Sequence, residues 1–168
     1  MVSIRIATID DVQTISLIHA LSWKEAYKNT FSQEFLSSIQ NDRWVPFFTE
    51  HLQNQRFETA LLFEDGKATA CITYGKSRDE SLENFAEIIS LYVLPEYWSQ
   101  KQGYELMQFC MQRLKEQEFH QIYLWILKEN KRAIQFYEKA CFVNDGTTVE
   151  VSMDDKTLTD IRYRTVLL

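Results

Sequence analysis

Apolar and polar positions alternate between a two-residue and a 3.6-residue rhythm along the whole chain, so strands and helices are interleaved. Ser3 to Ala7 reads as a short strand. A helix follows from about Asp10 to Tyr27, with Val12, Ile15, His19, Trp23 and Ala26 on one face. Thr8 stands at its cap position with Asp11 three residues on, a capping-box arrangement. Phe31 to Trp44 is a broken helical region, and Asp42 to Gln53 predicts a second helix. Thr59 to Phe63 and Ala68 to Tyr74, on either side of Asp65-Gly66, form a hairpin signal.

The second half continues in the same manner. Phe85 to Leu94 predicts a long strand stopped by Pro95, and Gly103 to Gln117 an amphipathic helix with Gly103, Met107, Cys110, Met111 and Leu114 on one stripe. Gln121 to Leu127 is an apolar strand, Asn130 to Ala140 a short helix, and Thr147 to Met153 and Thr157 to Leu167 are strands joined by Asp154-Asp155-Lys156. No repeat, low-complexity tract or shift in composition divides the chain, so residues 1–168 are expected to form one domain.

Composition narrows the function classes. The chain is 45% apolar with only 4 Gly and 2 Pro, which suits a packed core and excludes collagen-like and Pro-rich architectures. Lys plus Arg total 18 against 24 Asp plus Glu, a net charge of -6, and this argues against a nucleic-acid partner. No apolar run reaches the ~18 residues of a membrane helix, and no signal-peptide pattern opens the chain, so a cytoplasmic location and no membrane partner are expected. Cys71, Cys110 and Cys141 form no CxxC pair and sit in apolar stretches, as reduced buried thiols would. Three His residues without metal-ligand spacing predict no metal site. His19, on the apolar face of its helix, reads as a core or pocket-edge histidine.

Two segments carry chemistry. One runs Phe85-Ala-Glu-Ile-Ile-Ser-Leu-Tyr-Val-Leu-Pro-Glu-Tyr-Trp-Ser-Gln-Lys-Gln-Gly-Tyr104, a strand, a loop, and a helix opening at a glycine. A helix start offers unpaired N–H groups and a positive dipole end to phosphate. The other runs from Ile122 to Phe142, a strand, an Asn, and a short helix. The pattern N-x-R-A-I-x-F-Y-E-K-x-x-F at Asn130 to Phe142, and L-Y-V-x-P-E-Y at Leu91 to Tyr97, resemble the GNAT superfamily of N-acetyltransferases. The order of elements resembles it over nearly the whole chain. The resemblance implies a GNAT fold of the α+β (α/β) class, a mixed, mostly antiparallel sheet of about seven strands flanked by about four helices.

The same resemblance implies acetyl-CoA as co-substrate and acetyl transfer to a primary amine by direct attack in a ternary complex. Leu91, Tyr92 and Val93 would bond the pantetheine arm through the backbone, with the N–H near Leu91 polarising the acetyl carbonyl. Trp98, Ser99, Gln100, Lys101, Gln102, Gly103 and Tyr104 match the pyrophosphate loop. Asn130, Ala133 and Phe136 match the second cofactor segment, and Tyr137 matches the tyrosine that protonates the leaving thiolate. Only Gly103 keeps the loop's glycine pattern. Trp98 stands where Gln or Arg is usual and Lys101 where glycine is usual, and Cys141 also replaces a usual glycine. These departures leave a second reading open, a GNAT-fold CoA-binding or sensor protein without turnover.

Glu87 lies in an apolar strand, with Ile89 and Leu91 at alternate positions. Its spacing to Gly103 is similar to that of a general-base glutamate in one branch of the family, which suits proton abstraction near neutral pH. The other reading is a structural or cation-binding carboxylate. The acceptor pocket would be shaped by the first two helices, which carry Trp23, Tyr27, Phe31, Phe35 and Trp44. Ser22 to Tyr27 is similar to a segment of the small bacterial polyamine-acetyltransferase-like type. Aromatic rings and an acidic balance suit a cationic amine, either a small molecule such as a polyamine or a peptide. Dimers are common for this fold, so a homodimer is also an expectation.

Overall fold

In the computed structural model, which describes residues 1–167, seven strands form one sheet in the order β1-β2-β3-β4-β5-β7-β6. The strands are β1 (Val2–Ile6), β2 (Glu58–Glu64), β3 (Lys67–Lys76), β4 (Ala86–Val93), β5 (Gln121–Leu127), β6 (Val143–Met153) and β7 (Lys156–Val166). The helices are α1 (Val12–Ala26), α2 (Gln33–Ser38), α3 (Val45–Gln53), α4 (Gln102–Glu116) and α5 (Lys131–Lys139). All neighbouring strands run antiparallel except β4 and β5. The crossover between these two is α4, as a parallel pair requires a long connection.

Strand alternation splits the core. Ala60, Leu62, Ile72, Ile88, Leu124 and Ile126 face α4 and α5, where Leu106, Met107, Cys110 and Tyr137 meet them. The opposite face carries α1, α2 and α3, with Trp23, Tyr27, Phe31 and Leu36 packed near Leu127 and Leu158. Asp65 and Gly66 take φ of 49° and 83°, the left-handed pair that closes the β2–β3 hairpin. Asp11 receives the Thr8 N–H at 2.7 Å and both Arg5 guanidinium nitrogens at 2.8 Å, fixing the entry to α1. Among the described residues, no helix is long and apolar enough to cross a membrane.

Three sequence readings need correction. Cys141 is exposed, not buried. It takes φ of 65° just beyond α5, with Phe142 N–H bonded to Tyr137 O at 3.0 Å and Cys141 N–H to Glu138 O at 3.1 Å. That is the double bond of a left-handed helix stop, in which a glycine would carry no strain. The helix across Asp42 to Gln53 begins later, because residues 41–44 turn before Pro46 opens α3. The parity of β4 also breaks. Opposite β3 the register jumps from Thr73↔Ser90 to Tyr74↔Ile88, so Ile89 is an inserted residue. Glu87 and Leu91 therefore face opposite sides of the sheet.

Candidate active site

The β4–β5 ladder is short. It holds three pairs, Ala86↔Ile122 to Ile88↔Leu124, and then the strands part. The β3 register decides what lines the gap. Leu94 N–H bonds Thr69 O at 2.9 Å, so Tyr92 directs its backbone groups to Cys71 while Leu91 and Val93 direct theirs toward the gap. The Val93 carbonyl is already engaged, accepting from the Trp98 indole N–H at 2.7 Å and the Ser22 hydroxyl at 2.9 Å. Leu91 N–H, Leu91 O and Val93 N–H remain for a ligand. Among Leu91, Tyr92 and Val93, Tyr92 thus contributes a side chain and not backbone groups.

Beyond β4 the loop to α4 passes through Ser99 and Lys101, with φ of 63° and 68°. Both are left-handed positions without glycine. Lys101 precedes the first turn of α4, and the first amide bonded back across that turn is Glu105 N–H to Lys101 O at 3.0 Å. The N–H groups of Gln102, Gly103 and Tyr104 therefore have no partner within the helix, and they sit beside an exposed ammonium. Gly103 allows the close approach of two elements. A Cβ there would lie 3.4 Å from Phe136 Cε2 and 3.7 Å from Val93 Cγ2.

The Gln102 side chain turns away from the gap. Its Oε1 accepts from Thr69 at 2.7 Å and its Nε2 donates to Glu64 at 2.7 Å, anchoring the loop to β2 and β3. Gln100 is exposed and donates to Glu96 O at 2.9 Å, and Tyr104 is also exposed. Arg132, in the first turn of α5, lies over the Trp98 ring at 4.4 Å and reaches Ser99 Oγ at 3.3 Å. A second cation thus flanks the loop, and Trp98 is its platform.

Asn130 caps α5. Its Oδ1 accepts from Ala133 N–H at 3.1 Å and its Nδ2 donates to Tyr27 Oη at 3.2 Å. The side chain is engaged on both atoms, so it holds α5 against α1. Ala133 and Phe136 pack on the sheet core from the α5 side.

Tyr137 is buried against Phe136 and Phe142, yet its hydroxyl has no hydrogen-bond partner among the described residues and is not sealed from solvent. Burial holds its proton well above the ordinary phenol range, with smaller contributions from Cys110 and Tyr27. Tyr27 lies on the other face of the sheet. The parted strands let groups from both faces act on each other there. Tyr92 likewise holds its proton through burial and then through Tyr27, Tyr137, Cys71 and Asp160.

Glu87 does not suit proton abstraction. Its side chain is 2% exposed. It accepts from Arg78 Nε at 3.0 Å, Arg78 Nη2 at 2.5 Å, Arg78 N–H at 3.2 Å and Tyr123 Oη at 2.9 Å. It also sits on the paired part of β4, before the gap opens. Both oxygens are occupied, and Arg78 is stabilised as a cation chiefly by this bond. His19 is equally enclosed, with ring centroids 4.5 Å from Tyr92 and 4.9 Å from Phe48, and burial pulls its pKa down to about 3. It is a neutral wall residue whose Nε2 lies 3.4 Å from Ser90 Oγ.

The cleft between parted parallel strands, open beside a helix start and backed by a tyrosine, is where sequence kinship and geometry meet. Residues 18–141 match the Acetyltransferase (GNAT) family, and the chain belongs to that family. It is an N-acetyltransferase with acetyl-CoA as its co-substrate. Among its relatives is the spermidine N(1)-acetyltransferase of Thermoplasma acidophilum, 25% identical over 150 residues that cover 87% of this chain and 91% of that one. The fold matches the PaiA N-acetyltransferase of Thermoplasma acidophilum in complex with coenzyme A, with a TM-score of 0.75 and 22% identity over 96% and 98% of the two chains. It also matches a Salmonella typhimurium acetyltransferase solved with acetyl-CoA, with a TM-score of 0.73 and 18% identity over 99% and 94%.

Sequence reasoning missed Arg132, Ser22 and Asp160. Arg132 stood in the quoted motif, but its contact with Trp98 joins residues on two separate helix approaches. Ser22 is a helical serine whose target, the Val93 carbonyl, is 71 residues away. Asp160 left one signal, a lone acid between Thr159 and Ile161 in the last strand.

Proposed function

We propose that the whole chain, residues 1–168, works as a single domain that transfers the acetyl group of acetyl-CoA directly to a primary amine, with both substrates bound together. The observation that carries this reading is the cleft itself. Leu91 N–H, unpaired beside the parted strands, is aimed where a thioester carbonyl oxygen would gain negative charge. The N–H groups at the start of α4, with Lys101 and Arg132 beside them, suit the pyrophosphate. Acetyl-CoA supplies the activated acyl group.

The amine nitrogen forms a bond to the acetyl carbon, and the carbon–sulfur bond breaks. The thiolate that leaves takes a proton from Tyr137, whose hydroxyl has no hydrogen-bond partner among the described residues and remains protonated because of its burial. Glu87 serves the fold by pinning Arg78 and Tyr123. The amine loses its proton to water or buffer rather than to Glu87.

The acceptor enters from the face of α1 and α2, where Trp23, Tyr27, Phe31 and Phe35 stack on one another. That aromatic wall, the net charge of -6 and the kinship to a spermidine acetyltransferase support a small cationic amine over a peptide. Thiol release from acetyl-CoA tests the reading across a panel of polyamines, simple alkylamines and peptide N-termini. Turnover with an amine well above acetyl-CoA hydrolysis is expected. Tight acetyl-CoA binding without turnover on any amine would overturn transfer and leave a CoA-binding protein.

A further inference from the structure

The acceptor side of the cleft holds a carboxylate that the chemistry above does not use. Asp160 lies in β7 directly opposite Leu127, the last residue of β5, beyond the point where β5 leaves β4. Alternation along β7 puts it on the face of Leu158, which packs with Trp23, Tyr27 and Phe31. It is half-buried, and among the described residues its carboxylate has no hydrogen bond and no ion pair. Among other buried or half-buried acids of the chain, Glu87, Asp145 and Glu58 each hold an arginine. Glu64, also half-buried, is met by the Gln102 amide and not by a cation.

An unpaired carboxylate withdrawn from water is costly unless a cation reaches it. The groups that act on Asp160 or are acted on by it are Tyr27 from α1, Tyr92 from β4 and Glu129 from the loop before α5, and none of them is a cation. A cation from solution can therefore serve as its partner. Burial and then Glu129 hold the Asp160 proton above the usual carboxylate range, which marks the same deficit of positive charge.

Position decides which ammonium it takes. Tyr137, at the thioester end of the cleft, belongs to the core under α4 and α5, whereas Asp160 lies opposite Leu127 on the face of Leu158, Trp23 and Tyr27. The nitrogen that attacks must be neutral, so a carboxylate placed behind the reacting centre suits a second, charged nitrogen. We propose that Asp160 is the specificity-determining residue for the acceptor, binding a distal ammonium and so selecting diamines and polyamines. The proposal rests on the acetyl-transfer reading above and deepens it.

Steady-state thiol release with putrescine, spermidine and n-butylamine, at saturating acetyl-CoA, tests it. Wild type is expected to show a KM for putrescine and spermidine about 10-fold or more below that for butylamine, the effect of one charge-assisted contact. D160N should raise the diamine KM by about 10-fold and leave the butylamine KM and acetyl-CoA binding unchanged. D10N, an equal change of charge at an exposed site outside the cleft, should alter none of these. An unchanged diamine KM in D160N, or a wild type that treats diamine and butylamine alike, overturns the proposal. If D160N does not fold, D160E carries the test, since it must still favour diamine over butylamine. If wild type binds acetyl-CoA but acetylates no amine, the transfer reading fails by itself. Calorimetry of spermidine on the CoA-loaded protein then decides on Asp160: binding lost in D160N sustains the site, and no binding to wild type rejects it.

Discussion

Replacing Glu87 with Gln separates a structural carboxylate from a catalytic one. The wild-type side chain accepts four hydrogen bonds, three from Arg78 and one from Tyr123. Glutamine keeps one oxygen and turns an N–H₂ group toward donors, so at least one bond is lost and two donors face each other. Breaking a buried ion pair from one side costs about 3–5 kcal/mol. The Arg78 side chain is 48% exposed and can recover water, which lowers the expected cost to about 2–3 kcal/mol. For a chain of this length each kcal/mol moves Tm by about 2–4 °C, so Glu87→Gln should melt about 5–10 °C below wild type. Scanning calorimetry reads the shift, and kcat measured well below the lower Tm should stay within about 3-fold of wild type. An unchanged Tm together with a kcat fall of about 10²-fold and a lost acidic limb of the pH profile would show that Glu87 takes a proton in the reaction.

Tyr137→Phe should lower kcat by about 10²-fold and leave acetyl-CoA affinity nearly unchanged, since only an unpartnered hydroxyl is lost; an unaltered kcat would mean that water supplies the proton. Lys101→Ala should weaken acetyl-CoA binding by about 1–2 kcal/mol in calorimetry, whereas Lys101→Gly should weaken it less and relieve about 1 kcal/mol of left-handed strain. Equal and negligible effects of the two would mean that the loop does not touch the cofactor. Arg132→Ala should also weaken acetyl-CoA binding and lose the fluorescence signature of a stacked Trp98, so that unchanged emission would reject the stack. His19 is neutral when folded, with a pKa of about 3 against 6.5 when unfolded. Its contribution to stability is therefore intact above about pH 6.5 and is lost progressively as pH falls toward 3. His19→Phe should flatten the urea midpoint against pH over that window; a slope equal to that of wild type would place the acid sensitivity elsewhere.

The elements were legible in the sequence because their rhythm is local. Gln121–Leu127 appears with the same ends that the alternation predicts, and α4 differs by one residue at each end. The Cys141 departure was visible as a missing glycine, and its consequence, a left-handed cysteine closing α5, follows from backbone sterics. The site was less legible where it depends on register. Glu87 shares parity with Leu91 in the sequence, but the inserted Ile89 reverses the relation. Nothing in the residue types marks that insertion. Asn130, read as a cofactor contact, also caps α5, a role that depends on its neighbours in space, Ala133 and Tyr27. Gln102 was read in the loop by position alone, and its burial against Thr69 and Glu64 depends on contacts 33 and 38 residues distant.

The three-pair ladder between β4 and β5 makes the sheet two plates hinged along a seam. On one side β1, β2, β3 and β4 pair antiparallel in chain order, and on the other β5 pairs with the long β6–β7 hairpin. The β2–β3 and β6–β7 hairpins close over short chain excursions, while the seam must wait for α4 to cross over. Amide protons at the seam should then be the first in the sheet to exchange with deuterium. A ligand wedged into the gap would act as a rivet, slowing exchange on both plates although it touches each of them along one edge only.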